Sequence, residues 1–75
     1  MLTIGIDVGG TFTDLVAIDA AGRTVFAKSL STPQDQSIGV MAGLDELARR
    51  LDLTRAEMLA QTQRLVHGTT VATNA

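Results

Sequence analysis

The chain has 75 residues, enough for one small domain that buries roughly 60% of its unfolded surface. A formal net charge of −2, with Lys and Arg scattered, offers no electrostatic footprint for nucleic acid, and zero cysteines exclude disulfide scaffolds and thiolate metal sites. The start "MLTIGIDVGG" lacks a signal peptide's basic region and long apolar core, and no run approaches a membrane span, so a cytoplasmic protein without membrane or nucleic-acid partners is expected.

In chain order, Leu2, Ile4 and Ile6 alternate with Thr3, Gly5 and Asp7, the period of two of a first strand. Phe12 to Ile18 forms a second, rich in Val, Ile, Phe and Thr. "DAAGR", Asp19 to Arg23, is a turn with Gly22 available for positive φ. Thr24 to Leu30 is a third strand, and three strands on short turns make an antiparallel meander. Thr32-Pro33-Gln34-Asp35 then opens a helix, with Thr32 expected as N-cap and Pro33 at the first helical position. Val40, Leu44, Leu47 and Leu51 form its apolar stripe, widened by Ile38, Met41 and Ala48. Met41 and Met58 are both expected in the core. Arg49, Arg50 and Asp52 close the helix, the arginines complementing its dipole. Thr54-Arg55-Ala56-Glu57 is a capping box for a short second helix ending near Gln61. A short fourth strand is expected at Leu65-Val66, with a turn at Gly68.

The order is β-β-β-α-(α)-β. A strand reached through a helix lies parallel to an earlier one, so the fourth strand is expected beside the first. Asp7 and His67 would then end neighbouring strands at their carboxyl ends, where open α/β sheets bind ligands.

Between the first two strands stands Asp7-Val8-Gly9-Gly10-Thr11-Phe12-Thr13-Asp14. A P-loop would need Lys after the glycines, and a dinucleotide fingerprint would need them to open a helix. Neither holds, so this turn joins strand to strand. Gly9 and Gly10 allow close backbone approach, and their N–H groups can cradle an anion. Gly10 is also expected to supply a positive φ. Thr11 and Thr13 add hydroxyl donors. Asp7 fits beside a phosphate only with a hard cation between, and Mg²⁺ takes one or two carboxylates while keeping waters. The plain alternative is a tight hairpin with acids at its strand ends; Asp-x-Gly-Gly-Thr-x-Thr favours nucleotide.

This motif resembles the first phosphate loop of the superfamily of actin, the chaperone ATPases and the sugar kinases. "IGIDVGGTFTDLVAID", "KSLSTPQDQSIGV" and "HGTTVATNA" together resemble, across essentially the whole chain, the N-terminal region of the hydantoinase/oxoprolinase family, hydantoinase A type. Phe12-Thr13-Asp14 and His67-Gly68-Thr69-Thr70 point away from the glucokinase type. The resemblance implies an α/β, ribonuclease-H-like (actin-like ATPase) half-lobe. Residues 1–75 would be a partial N-terminal ATPase lobe, a fragment of a much longer chain.

Family members include 5-oxoprolinases, N-methylhydantoinases and a subunit of acetone carboxylase. They use ATP and Mg²⁺ to activate a carbonyl oxygen by phosphorylation, chemistry that depends mostly on positioning and charge neutralisation. The implied partners are a small cyclic amide substrate, the remainder of the parent chain and a second enzyme subunit. By itself the fragment is expected to be inactive. Implied for cofactor binding are Gly9, Gly10, Thr11, Thr13, Gly68 and Thr69, with Asp7 as metal ligand. Thr70 is a further candidate donor. His67 either acts on the phosphoryl group, which the resemblance favours, or packs at its strand end holding the next turn. Asp14 either binds substrate or holds the loop's N–H groups, and Lys28 reads as a solvated edge charge. Two other functions fit the turn: the first lobe of a sugar-kinase-type enzyme, or a non-enzymatic interaction module.

Overall fold

The computed structural model describes residues 1–69. Alternating apolar residues produce β1 (Leu2–Val8), β2 (Phe12–Ile18) and β3 (Thr24–Leu30), joined by tight turns. The second turn is built by Asp19, whose carboxylate accepts from the N–H groups of Ala21 and Arg23, both at 2.9 Å. Gly22 there has φ 85°, a left-handed value that favours glycine. Two helices follow, α1 (Gln36–Arg50) and α2 (Arg55–Ala60), and then β4 (Thr62–Thr69). The sheet order is β3-β2-β1-β4, with β4 parallel to β1 and the other pairs antiparallel. The α/β meander with a parallel fourth strand is thus as the sequence implies.

Leu2, Ile4, Ile6 and Val8 send every second side chain of β1 to one face. There they meet Leu15, Ala17 and Ala27 from β2 and β3, Leu44, Leu47 and Ala48 from α1, and Met58 from α2. Each Leu, Ile, Val or Met among them, fully buried, contributes about 1.5–3 kcal/mol, and each alanine methyl about 0.8 kcal/mol. The opposite face of the sheet carries no helix among the described residues, and Phe26, Val66 and Ile18 are exposed on it.

Four local expectations need correction. The N-cap of α1 is Asp35, not Thr32: the Asp35 side chain accepts from Ser37 N–H, and residues 32–35 form a turn closed by Asp35 N–H on the Thr32 carbonyl at 3.0 Å. Thr32 instead accepts from Gly39 N–H inside the helix. The buried side of α1 runs through Gly39 and Gly43 to Leu44, Leu47 and Ala48, leaving Ile38 60% and Met41 39% exposed. A Cβ on Gly39 would stand 2.7 Å from the Leu30 carbonyl, and one on Gly43 would collide with the Leu15 side chain. The helix therefore approaches β2 and β3 through its glycines, which rotates Met41 outward. The fourth strand runs on past Leu65-Val66, so Gly68 is paired with Asp7 inside the ladder rather than in a turn. Finally, Gly22 is the glycine with positive φ among the described residues, so Gly10 does not supply one. The capping box of α2 is present in both directions: Glu57 N–H donates to the Thr54 hydroxyl, and Thr54 N–H to the Glu57 carboxylate.

Candidate functional site

The β1–β2 connection lies where the parallel strands β1 and β4 both end, the edge at which α/β sheets take ligands. Gly9 N–H donates to the Phe12 carbonyl at 2.9 Å, closing the turn. Gly10 is open, and a Cβ there would meet no heavy atom within 4 Å. Thr11 is exposed beside it.

Register decides which side chains share a face. Asp7 is paired with Asp14 on one side and Gly68 on the other, and Asp14 with Lys28, so these four positions form one row across the helix-free face. Lys28 Nζ lies 3.4 Å from Asp14 Oδ1 and 5.0 Å from the centre of the Phe12 ring. Both members of the ion pair are well solvated, so it adds only a few tenths of a kcal/mol, on the order of 0.2–1. Asp14 makes no hydrogen bond to the loop's N–H groups among the described residues. Next to this row, Gly5, Val16, Phe26 and Val66 line a shallow apolar groove of about 380 Å³ whose rim includes Asp7, Asp14 and Gly68.

The sequence places His67 beside Asp7, but its ladder partner is Ile6. Paired residues of parallel strands point the same way and successive residues alternate. His67 therefore leaves the face of Asp7 and projects on the side of Ile6, exposed at the edge of the sheet. Thr13 lies on the helix-covered face, 1% exposed, with its hydroxyl 3.0 Å from that of Ser31. Thr69 pairs with Val8 at the end of β4, and Thr70 lies outside the described residues. Gly9, Gly10, Thr11, Asp7 and Gly68 are thus gathered at one end of the sheet, with Thr13 beneath them and His67 turned away.

No sequence motif marks Ser31. Its hydroxyl donates to the Gly9 carbonyl at 2.7 Å, and its N–H donates to the Thr11 carbonyl at 2.9 Å. The signal for it is register: Phe12 pairs with Leu30, so the residue after Leu30 falls opposite Thr11.

Among the described residues, no three His, Asp or Glu side chains converge into a cage for a metal. The oxygen donors present are the exposed carboxylates of Asp7 and Asp14, adjacent on one face. One or two carboxylates with water and phosphate completing the shell suit Mg²⁺, which rarely uses all-protein cages. The chemistry of this donor set is compatible with that ion. No helix among the described residues is long and apolar enough to cross a membrane.

The sequence model of the hydantoinase/oxoprolinase N-terminal region matches residues 3–75. The chain is 43% identical over 72 residues to the caprolactamase subunit alpha of Pseudomonas jessenii, covering 96% of this chain and 10% of that protein. It is 37% identical over 71 residues to the acetone carboxylase beta subunit of Xanthobacter autotrophicus, covering 95% and 10%. The nucleotide-free structure of acetone carboxylase, an enzyme of ATP-dependent acetone carboxylation, superposes with a TM-score of 0.87 at 36% identity, again over 96% of this chain and 10% of that one. The chain thus spans about a tenth of the length of these relatives. With the match running through the turn, all four strands and both helices, the chain belongs to the hydantoinase/oxoprolinase family, at its N-terminal region.

Proposed function

We propose that this chain is the ATP- and magnesium-binding N-terminal part of a longer enzyme that phosphorylates the carbonyl oxygen of a cyclic amide, or of a ketone, before hydrolysis or carboxylation. The observation that carries the reading is the turn at the carboxyl ends of β1 and β4. There the open Gly10 backbone lies next to the exposed carboxylate of Asp7. The names of the relatives agree with it, since a lactam and a ketone are both poor electrophiles whose carbonyl oxygen is the atom to activate.

In this reading the N–H groups of the turn bind phosphate oxygens and Thr11 adds a hydroxyl. Asp7 would hold the water shell of Mg²⁺, which would neutralise phosphate charge. The carbonyl oxygen bonds to the γ-phosphorus as the bond to the leaving ADP oxygen breaks. With a lactam, water adds to the activated carbon, the ring C–N bond breaks as the nitrogen takes a proton, and a second water releases inorganic phosphate from the acyl phosphate. With a ketone, loss of an α-proton gives the enol phosphate, whose α-carbon bonds to carbon dioxide as water takes the phosphoryl group to give inorganic phosphate. Thr13 supports the turn from beneath, its hydroxyl beside that of Ser31, while His67 faces away from Asp7 and has no part in this step. The substrate-binding part lies in the rest of the parent chain and a second subunit, as the subunit names of the relatives suggest.

The test is ATP-dependent turnover in the complete polypeptide that carries this region, offered lactam, hydantoin, oxoproline and ketone substrates. Substrate-dependent release of ADP is expected, falling by orders of magnitude in Asp7→Asn with the folded fraction unchanged. Turnover that survives Asp7→Asn at limiting Mg²⁺ would remove the metal role from Asp7, and turnover without ATP would sink the whole reading.

A further inference from the structure

A turn that binds an anion must do more than expose N–H groups. Each N–H sits next to carbonyl oxygens that repel the same anion, so those carbonyls have to be aimed elsewhere. In an ordinary four-residue turn the carbonyl of the first residue closes the turn by accepting from the fourth. Here the Gly9 carbonyl accepts instead from the Ser31 hydroxyl at 2.7 Å, and the Thr11 carbonyl accepts from Ser31 N–H at 2.9 Å. A single residue outside the turn thus takes both carbonyls that flank it.

The direction of that pull follows from the surroundings of Ser31. Its hydroxyl is 3.0 Å from that of Thr13, which is buried on the helix-covered face of the sheet. The Gly9 carbonyl is therefore drawn toward the α1 side. In a trans peptide the C=O and the following N–H point in opposite directions. The N–H of Gly10, in the same peptide unit, is consequently turned to the other side, the one on which Asp7 is exposed. Among the described residues, neither Gly10 N–H nor Thr11 N–H donates to a protein acceptor.

We propose that Ser31 is the positioning residue of the phosphate-binding turn, holding the Gly9 and Thr11 carbonyls back so that the Gly10 N–H faces an anion beside Asp7. The inference rests on the phosphate-binding reading above. Ser31 touches no substrate itself. It links the turn to the β3–α1 connection, so the position of the turn is set by the packing of α1 on the sheet.

The experiment is a titration of the isotope-labelled complete polypeptide that carries this region with inorganic pyrophosphate at millimolar concentrations, following the amide resonances of Gly10 and Thr11. In the wild-type chain these two amides are expected to shift most. Ser31→Ala should keep the core resonances of Ile4, Leu15 and Leu47 while weakening the pyrophosphate response about tenfold, the effect of losing one well-placed hydrogen bond. Ser31→Thr, which retains the hydroxyl, should restore it. If Ser31→Ala does not fold, Ser31→Cys, nearly the same size with a much weaker donor, carries the same comparison. A folded Ser31 variant that responds like wild type overturns the positioning role and leaves the phosphate reading standing. A wild-type chain whose Gly10 and Thr11 amides ignore pyrophosphate overturns both.

Discussion

Asp7 on β1 and Asp14 on β2 stand directly opposite each other across the antiparallel ladder, two carboxylates side by side on the helix-free face. Like charges in that arrangement are destabilising. Lys28, next in the row and 3.4 Å from Asp14, offsets one of them and leaves Asp7 without a partner among the described residues. An arrangement with a stability cost and no structural return fits a face where a cation or its hydrated shell belongs.

The cost can be measured. Asp7→Asn removes one of the two facing charges, so its urea midpoint at low salt should equal or exceed that of wild type, by up to about 0.5 kcal/mol. The gain should shrink as salt screens the repulsion. A clear loss of stability would mean that Asp7 has a structural role after all.

Gly10→Ala separates the turn's two descriptions. Because Gly10 has no left-handed φ and open space around its Cβ position, alanine should leave stability unchanged or raise it by up to about 1 kcal/mol. If the turn binds phosphate as proposed, affinity of the complete enzyme for MgATP should nevertheless fall, since the new methyl would stand in the way of phosphate approaching the backbone. Melting temperature and MgATP affinity measured on one variant decide the matter; unchanged affinity would make this an ordinary hairpin.

The packing of the two helices on the sheet gives a contrast within one chain. Gly43→Ala forces a methyl into the Leu15 side chain and should cost about 1–3 kcal/mol. Met58→Ala, at a residue with 0% exposure, should cost about 2–5 kcal/mol. Met41→Ala, on the outward side of the helix, should stay within about 1 kcal/mol. Chemical denaturation of the three variants checks the order, and a large effect at Met41 would contradict the orientation of α1.

Acid should weaken the fold through Glu46 and Asp19. Hydrogen bonds from Arg49 and then Arg50 hold the Glu46 carboxyl below its ordinary value of 4.5. The Arg23 backbone N–H, first among several donors, holds Asp19 below 3.8. A carboxylate with a lowered folded pKa contributes stability above its unfolded value and loses it as pH falls through the folded one. The loss should therefore begin near pH 4.5 for Glu46 and near 3.8 for Asp19, and continue below. Glu46→Gln should flatten the upper part of that acid limb in a pH series of urea midpoints, and an identical slope would exclude the contribution.

Much of the local structure was legible in the residues themselves. Alternation marked the strands at Phe12–Ile18 and Thr24–Leu30, Gly22 marked the hairpin between them, and Thr54 with Glu57 marked the start of α2. These features depend on neighbours within a few positions, so the chain carries them locally. The parallel placement of β4 followed from the helices before it. Which side of α1 meets the sheet did not follow, because hydropathy favours Ile38 and Met41 while close approach to the Leu30 carbonyl and the Leu15 side chain demands Gly39 and Gly43. The relation of His67 to Asp7 was equally hidden: a register offset of one residue puts neighbouring strand ends on opposite faces. Ser31 reaches the Gly9 carbonyl across 22 positions of chain, and only the folded meander, by bringing the end of β3 against the turn, makes it part of the site.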